Sequence, residues 1–324
     1  MGEGDNHIMW NQTLGHSQQI SQLRNLVETG KLPHALLLTG IRGIGKTRVA
    51  TGLAQALNCE GTQKPCETCT SCQKIAGKIH PDIHWIEPAE DKTVISIEAI
   101  RKIQSTLQLH PLEGQAKCAC IEPADSMTLA AANALLKILE EPPANTYFIL
   151  ITDKPFELPA TIRSRCQQVA LAPLAKAILQ KRLGSTTLGS DAVARLAQGS
   201  LQKALTWDPA FAESVFRQME SVWELPTPTR ILTIAEQWSS DETRIPKILE
   251  MLACLWHDAL VDGTATDERL IFPEARIIRE HLAKLGPDKL WDRWQKLLQA
   301  PHDLERYANK QLLMENLLFQ LTQN

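Results

Sequence analysis

Gly40, Gly43, Gly45, Lys46 and Thr47 fall within residues 40–47, which read Gly-Ile-Arg-Gly-Ile-Gly-Lys-Thr and fit the phosphate-binding pattern G-x-x-x-x-G-K-[ST] without a gap. Glycines let backbone N–H groups wrap an anion without Cβ clashes. Lys46 supplies a point charge to terminal phosphates, and the Thr47 hydroxyl is a ligand for Mg²⁺. Further on, Glu122 ends an apolar run. In a phosphate-loop protein this is where one carboxylate holds Mg²⁺ through water and a neighbouring acid polarises the attacking water. The neighbouring position here is Pro123, which has no side chain to accept a proton. The cradle for a nucleotide (ATP or ADP with Mg²⁺) therefore lacks an evident base.

A second group of residues suits metal chemistry. Cys59, Cys66, Cys69 and Cys72 are spaced C-x6-C-x2-C-x2-C. Zn²⁺ takes four thiolates in a tetrahedron, and a C-x2-C turn presents two sulfurs at a suitable separation. Disulfides are the weaker alternative in a reducing compartment, and free thiols or redox chemistry the remaining one. Four cysteines leave no open position for a catalytic water, so a zinc ion here is expected to be a staple. Cys118, Cys120 and Cys254 lie in apolar runs and read as small core residues.

These groups need elements to position them. An apolar run at 35–38 reads as a buried strand, and 48–57 as a helix whose N-terminus faces the glycine loop. Ile20, Leu23, Leu26 and Val27 give an earlier helix one apolar face, with Gly30 as its stop; a helix there is sited to close over a purine base. Strands are expected at 83–87, 117–121 and 146–152, and helices at 95–103 and 126–141, the latter capped by Asp125 or Ser126 and ended by Pro142-Pro143. Thr152 ends its strand, where a threonine either senses a phosphate or caps the following turn. Beyond Pro173 short helices at 174–183 and 191–197 flank a Gly/Ser-rich linker. From 209 only helices are expected, at 213–224, 228–239, 246–262, 273–284, 287–299 and 304–323. Six of the eight tryptophans lie at or after Trp207 and read as core or interface filler.

Composition excludes several classes. The 324 residues are 44% hydrophobic and 22% charged, which suits a globular chain with two or three cores. No apolar run approaches the roughly 18 residues of a membrane span. The start is polar and acidic, unlike a secretory signal, so a cytoplasmic location is expected. A formal net charge of −3 argues against gripping nucleic acid over the whole surface.

Taken together, residues 40–47, the four-cysteine insert, the run 133–143 (Asn-Ala-Leu-Leu-Lys-Ile-Leu-Glu-Glu-Pro-Pro) and Ser164-Arg165-Cys166 resemble the bacterial DNA polymerase III clamp loader. The likeness runs from about 14 to 169 and continues weakly to the end, where 309–318 resembles the family's last collar helix. It implies an α/β nucleotide-binding domain of the AAA+ P-loop type with a parallel sheet and a zinc-binding insert (domain 1–170, insert about 58–75), a small helical lid domain (171–208) and an all-α C-terminal collar for oligomerisation (209–324).

Two kinds of subunit in that family compete. The motor hydrolyses ATP with an acidic pair and a sensor arginine; the stationary delta-prime type hydrolyses nothing yet keeps the serine–arginine–cysteine motif. Pro123 and Gln202 occupy the positions of the second acid and the sensor arginine, and the length fits the shorter subunit, so the sequence resembles the delta-prime type. The resemblance makes Arg165 an arginine finger acting in trans, with Ser164 and Cys166 completing its motif, and reads Arg163 as facing solvent. It implies a hetero-pentamer with gamma/tau motor subunits and delta, acting with the sliding clamp on primed DNA. The alternative is an ATP-hydrolysing motor or related AAA+ ATPase that uses Glu122 as its metal-site acid.

Overall fold

The chain is represented by a computed structural model that describes residues 10, 15–90, 92–183, 190–261, 270–272, 275–306 and 309–322. The acidic start and the linker 184–189 lie outside these residues. Two compact units result: Met1–Leu179 with Gly199–Gln202, and Gln180–Gln198 with Lys203–Asn324.

In the first unit, the four apolar runs become the parallel strands β1 (Ala35–Thr39), β2 (Ile83–Ile86), β3 (Lys117–Ile121) and β4 (Thr146–Thr152), and a fifth strand not expected from the sequence, the mostly exposed β5 (Gln167–Ala170), pairs with β1. Their order is β2-β3-β4-β1-β5. Leu37 stands opposite Leu150 and Cys120 opposite Ile149, so the central strands bury side chains on both faces, as a covered parallel sheet must. Helices cover both faces: α1 (Ser17–Glu28), α2 (Lys46–Asn58), α3 (Thr70–Ala76), α4 (Ile97–Leu107), α5 (Leu129–Glu140) and the short α6 (Ala160–Arg163). One core joins Leu36, Leu38, Val49, Leu53 and Ile149; the other joins Leu37, Ile100, Leu135 and Phe148. Cys118 and Cys120 are fully buried in the sheet, as expected of core residues.

The helix expected from 126 starts later. A short 3₁₀ turn, Ala124–Ser126, precedes an extended stretch, and Thr128 caps α5 by accepting the Ala131 N–H at 3.2 Å. The cause is a bridge between Ile95 and Met127. Ile95 donates to the Ser126 carbonyl at 2.9 Å and accepts from the Thr128 N–H at 3.0 Å, which holds this stretch extended until Thr128.

The second unit is helical in all its named elements, which include α8 (Ser190–Leu196), α10 (Pro209–Glu224), α11 (Pro228–Ser239), α12 (Ile245–Val261), α13 (Arg276–Ala283), α14 (Pro287–Arg306) and α15 (Lys310–Thr322). The remaining short helices are α7 (Lys176–Leu183) and α9 (Leu201–Leu205). Trp256 and Trp238 are buried in the core, whereas Trp291 is half exposed. Two helices form here as expected, but the first does not stop before Pro301. α14 runs through that proline to Arg306, and the buried Leu297 and Ala300 hold its inner face where the proline removes a backbone donor. Among the described residues no helix is long and apolar enough to cross a membrane.

Candidate functional site

The glycine loop leaves β1 and enters α2 with Gly40, Gly43 and Gly45 at φ of 144°, 80° and 103°. Only glycine takes these values freely, and no side chain caps the N-terminus of α2, so its backbone N–H groups are left to serve an anion. Lys46 is 7% exposed and donates to the carbonyls of Gly40 (2.8 Å) and Ile41 (3.0 Å). Burial holds its ammonium below the ordinary value, against the opposing pull of Asp153, Glu122 and Asp125. Thr47 Oγ1 donates to Glu122 Oε1 at 2.7 Å, so the two groups read as metal-site partners lie together at the ends of α2 and β3. A phosphate chain with Mg²⁺ fits this donor set: Lys46 and the loop N–H groups would hold the phosphates, and Thr47 and Glu122 the metal.

Pro123 follows Glu122 directly, and no carboxylate occupies its place. Asp125 is the next acid, but its Oδ1 accepts a hydrogen bond from Thr152 Oγ1 at 2.5 Å. Thr152 in turn accepts the Lys154 N–H at 2.9 Å, which is the turn-capping geometry of the two expected for it. The loop is also closed over. Gln202 donates its N–H to the Gly43 carbonyl at 3.2 Å, and a Cβ added to Gly43 would lie 2.4 Å from Ser200 Oγ and 2.6 Å from Gln202 Cβ. Ser200 is 1% exposed. Spacing did not single out Ser200, nor His16, whose Nε2 donates to the Ile44 carbonyl at 3.0 Å from a buried ring. Both act across folded distance, and no local pattern marks them.

Ser164, Arg165 and Cys166 connect α6 to β5, away from the chain's own loop in sequence. Arg165 donates to Glu140 Oε1 (2.5 Å) and to the Thr161 carbonyl (3.0 Å), with its side chain about one-third exposed. Ser164 Oγ donates to the same Thr161 carbonyl at 3.1 Å, and burial pushes the Cys166 thiol up to about 11. Cys166 is thus an inert core anchor beneath an accessible arginine. Arg163 does not face solvent: its side chain is half-buried, with the guanidinium carbon 5.4 Å over the Phe156 ring. The exposed Phe156 ring offers an apolar face that attracts the cation.

The four cysteines after α2 come together. The sulfurs of Cys59, Cys66, Cys69 and Cys72 all lie within 4.8 Å of one another. A tetrahedron of Zn–S bonds of about 2.3 Å places sulfurs about 3.8 Å apart, so the set needs only a small contraction. Backbone donors point at the sulfurs: Gly61 and Cys66 N–H to Cys59 (3.3 and 3.2 Å) and Cys69 N–H to Cys66 (3.3 Å). Burial raises the Cys59 and Cys72 thiols. At Cys66 burial also acts upward, but N–H groups of Thr68 and Cys69 outweigh it and bring the thiol down to about 6. Converging sulfurs with donors aimed at them suit a divalent cation, which would neutralise thiolates that burial otherwise opposes.

Two family models match the chain. One, described as DNA polymerase III, delta subunit, covers residues 15–175, and the other, described as DNA polymerase III, delta subunit, C terminal, covers residues 214–323. DNA polymerase III subunit delta' of Bacillus subtilis is 32% identical over 310 residues, covering 92% of this chain and 94% of the relative. Subunit delta' of Pseudomonas aeruginosa is 32% identical over 302 residues, covering 89% and 91%. Subunit tau of Escherichia coli is 34% identical over 204 residues, 60% of this chain but 31% of tau.

Proposed function

The chain belongs to the DNA polymerase III delta-prime family, and on that premise we propose that it is the non-hydrolysing, stationary subunit of a clamp loader. In this reading it sits in a cytoplasmic hetero-pentamer with gamma/tau motor subunits and delta, and helps load the sliding clamp onto primed DNA. Its own residues have four tasks. Arg165, on the surface beside Glu140, reaches the ATP site of a neighbouring motor subunit and stabilises charge developing on the γ-phosphoryl group. Gly40, Gly43, Gly45, Lys46, Thr47 and Glu122 form a cradle that holds nucleotide weakly or not at all. Cys59, Cys66, Cys69 and Cys72 hold a structural Zn²⁺. The helical C-terminal residues supply the collar.

The observation that carries the reading is Pro123 beside Glu122. The proton acceptor that hydrolysis needs is missing, while the arginine that serves another subunit's site is present. A second reading, an ATP-hydrolysing motor, is favoured by the intact loop and the 2.7 Å bond between Thr47 and Glu122.

Assembly tests the proposal directly. The chain mixed with motor and delta subunits should elute as one complex containing a single copy of it, and that complex should load clamp onto primed DNA far faster than motor and delta subunits alone. Failure to join the complex, or loading that proceeds equally well without the chain, would remove the proposal.

A further inference from the structure

Trp10 stands seven residues before α1, yet its surroundings belong to the metal loop and the phosphate-loop helix. Its indole is 1% exposed. The ring packs on α2 at Gly52, where an added Cβ would lie 2.3 Å from indole Cδ1, so only glycine admits it. The Arg24 guanidinium carbon of α1 sits 5.6 Å over the ring. The backbone N–H of Trp10 donates to Glu67 Oε1. Glu67 lies between the ligands Cys66 and Cys69, at a φ of 61° that side-chain-bearing residues seldom adopt. Such a conformation persists only where its surroundings impose it. The surroundings here are the turn in which the Cys69 N–H donates to Cys66 Sγ at 3.3 Å.

We infer that the metal centre is a latch that seats Trp10 on the back of the phosphate-loop helix. The inference rests on reading the four cysteines as a metal site. With the sulfurs gathered around a cation, the Cys66–Cys69 turn holds Glu67 in its left-handed conformation and presents the carboxylate to the Trp10 N–H. Removing the cation takes away the restraint on that turn; Glu67 relaxes to negative φ, its carboxylate swings away, and the indole leaves Gly52. α2 carries Lys46 and Thr47 on its first turn, so the insert braces the helix that presents the phosphate donors.

Hydrogen exchange on the full chain reads the latch, because the Trp10 amide is itself the donor. Zinc-loaded and chelated, reduced protein are compared with Glu67→Ala and Gly52→Ala, and metal content is measured alongside. Chelation is expected to speed exchange at Trp10 at least about tenfold. Glu67→Ala should keep all its metal and show the same acceleration, and Gly52→Ala should displace the ring with metal retained. Unchanged exchange after the metal has left, or a protected Trp10 amide in Glu67→Ala, would overturn the latch while leaving the metal site standing. Protein that takes up no zinc would overturn both, and metal content alone tells the cases apart.

Discussion

Arg165→Ala is expected to leave the chain folded and assembled and to cut ATP turnover by about 10³-fold or more at the one site it faces. The measurement uses a reconstituted complex in which every other motor site has been inactivated, so that turnover at competent neighbours does not mask the loss. The magnitude decides between two roles. In the isolated chain Arg165 makes an exposed pair with Glu140, and pairs of that kind contribute at most about 1 kcal/mol. A 10³-fold loss corresponds to about 4 kcal/mol of transition-state stabilisation, beyond the reach of a surface ion pair. Releasing Arg165 from Glu140 to reach a neighbour would therefore cost little of what a finger would supply. Glu140→Ala should leave turnover near the starting value. Equal turnover in wild type and Arg165→Ala would leave the arginine as a surface group.

Cys72→Ser should abolish stoichiometric zinc and unfold the insert, with a loss of at least about 3 kcal/mol, since the free energy of a structural zinc site is folding free energy. Cys72 is the most demanding position to change. It is fully buried, it follows the Cys69 cap of α3, and its carbonyl accepts Gln55 Nε2 at 2.9 Å, joining the metal loop to α2. The pH dependence follows from the ligand chemistry. Zinc takes thiolates, so protons compete with it, and burial raises the Cys59 and Cys72 thiols. Zinc should therefore be released to a chelator faster as pH falls. Metal analysis of wild-type protein, expected at about one Zn²⁺ per chain, sets the reference. Full metal content in Cys72→Ser would exclude this cluster.

What the sequence discloses is what rests on local pattern. The phosphate loop, the four-cysteine spacing and the β-branched run of β4 each encode geometry within at most fourteen residues. Proline at the first helical turn placed the starts of α11 and α14. Elsewhere distant contacts override local preference. Pro301 looks like a helix end, but packing carries α14 past it. Asp125 looks like a cap, but it is engaged by Thr152, and Thr128 caps instead. Arg163 looks solvated until Phe156 is folded beside it. The closure of the loop by Ser200 and Gln202 joins positions more than 150 residues apart, and Trp10 meets Gly52 and Glu67 only in three dimensions. No periodicity reports such contacts.

Whether this chain keeps a phosphate cradle yet hydrolyses nothing is decided by nucleotide binding and ATP turnover measured side by side on the isolated chain. Weak or no binding and no turnover above background are expected, in wild type and Lys46→Ala alike. Appreciable hydrolysis that disappears in Lys46→Ala would contradict this and make the chain a motor.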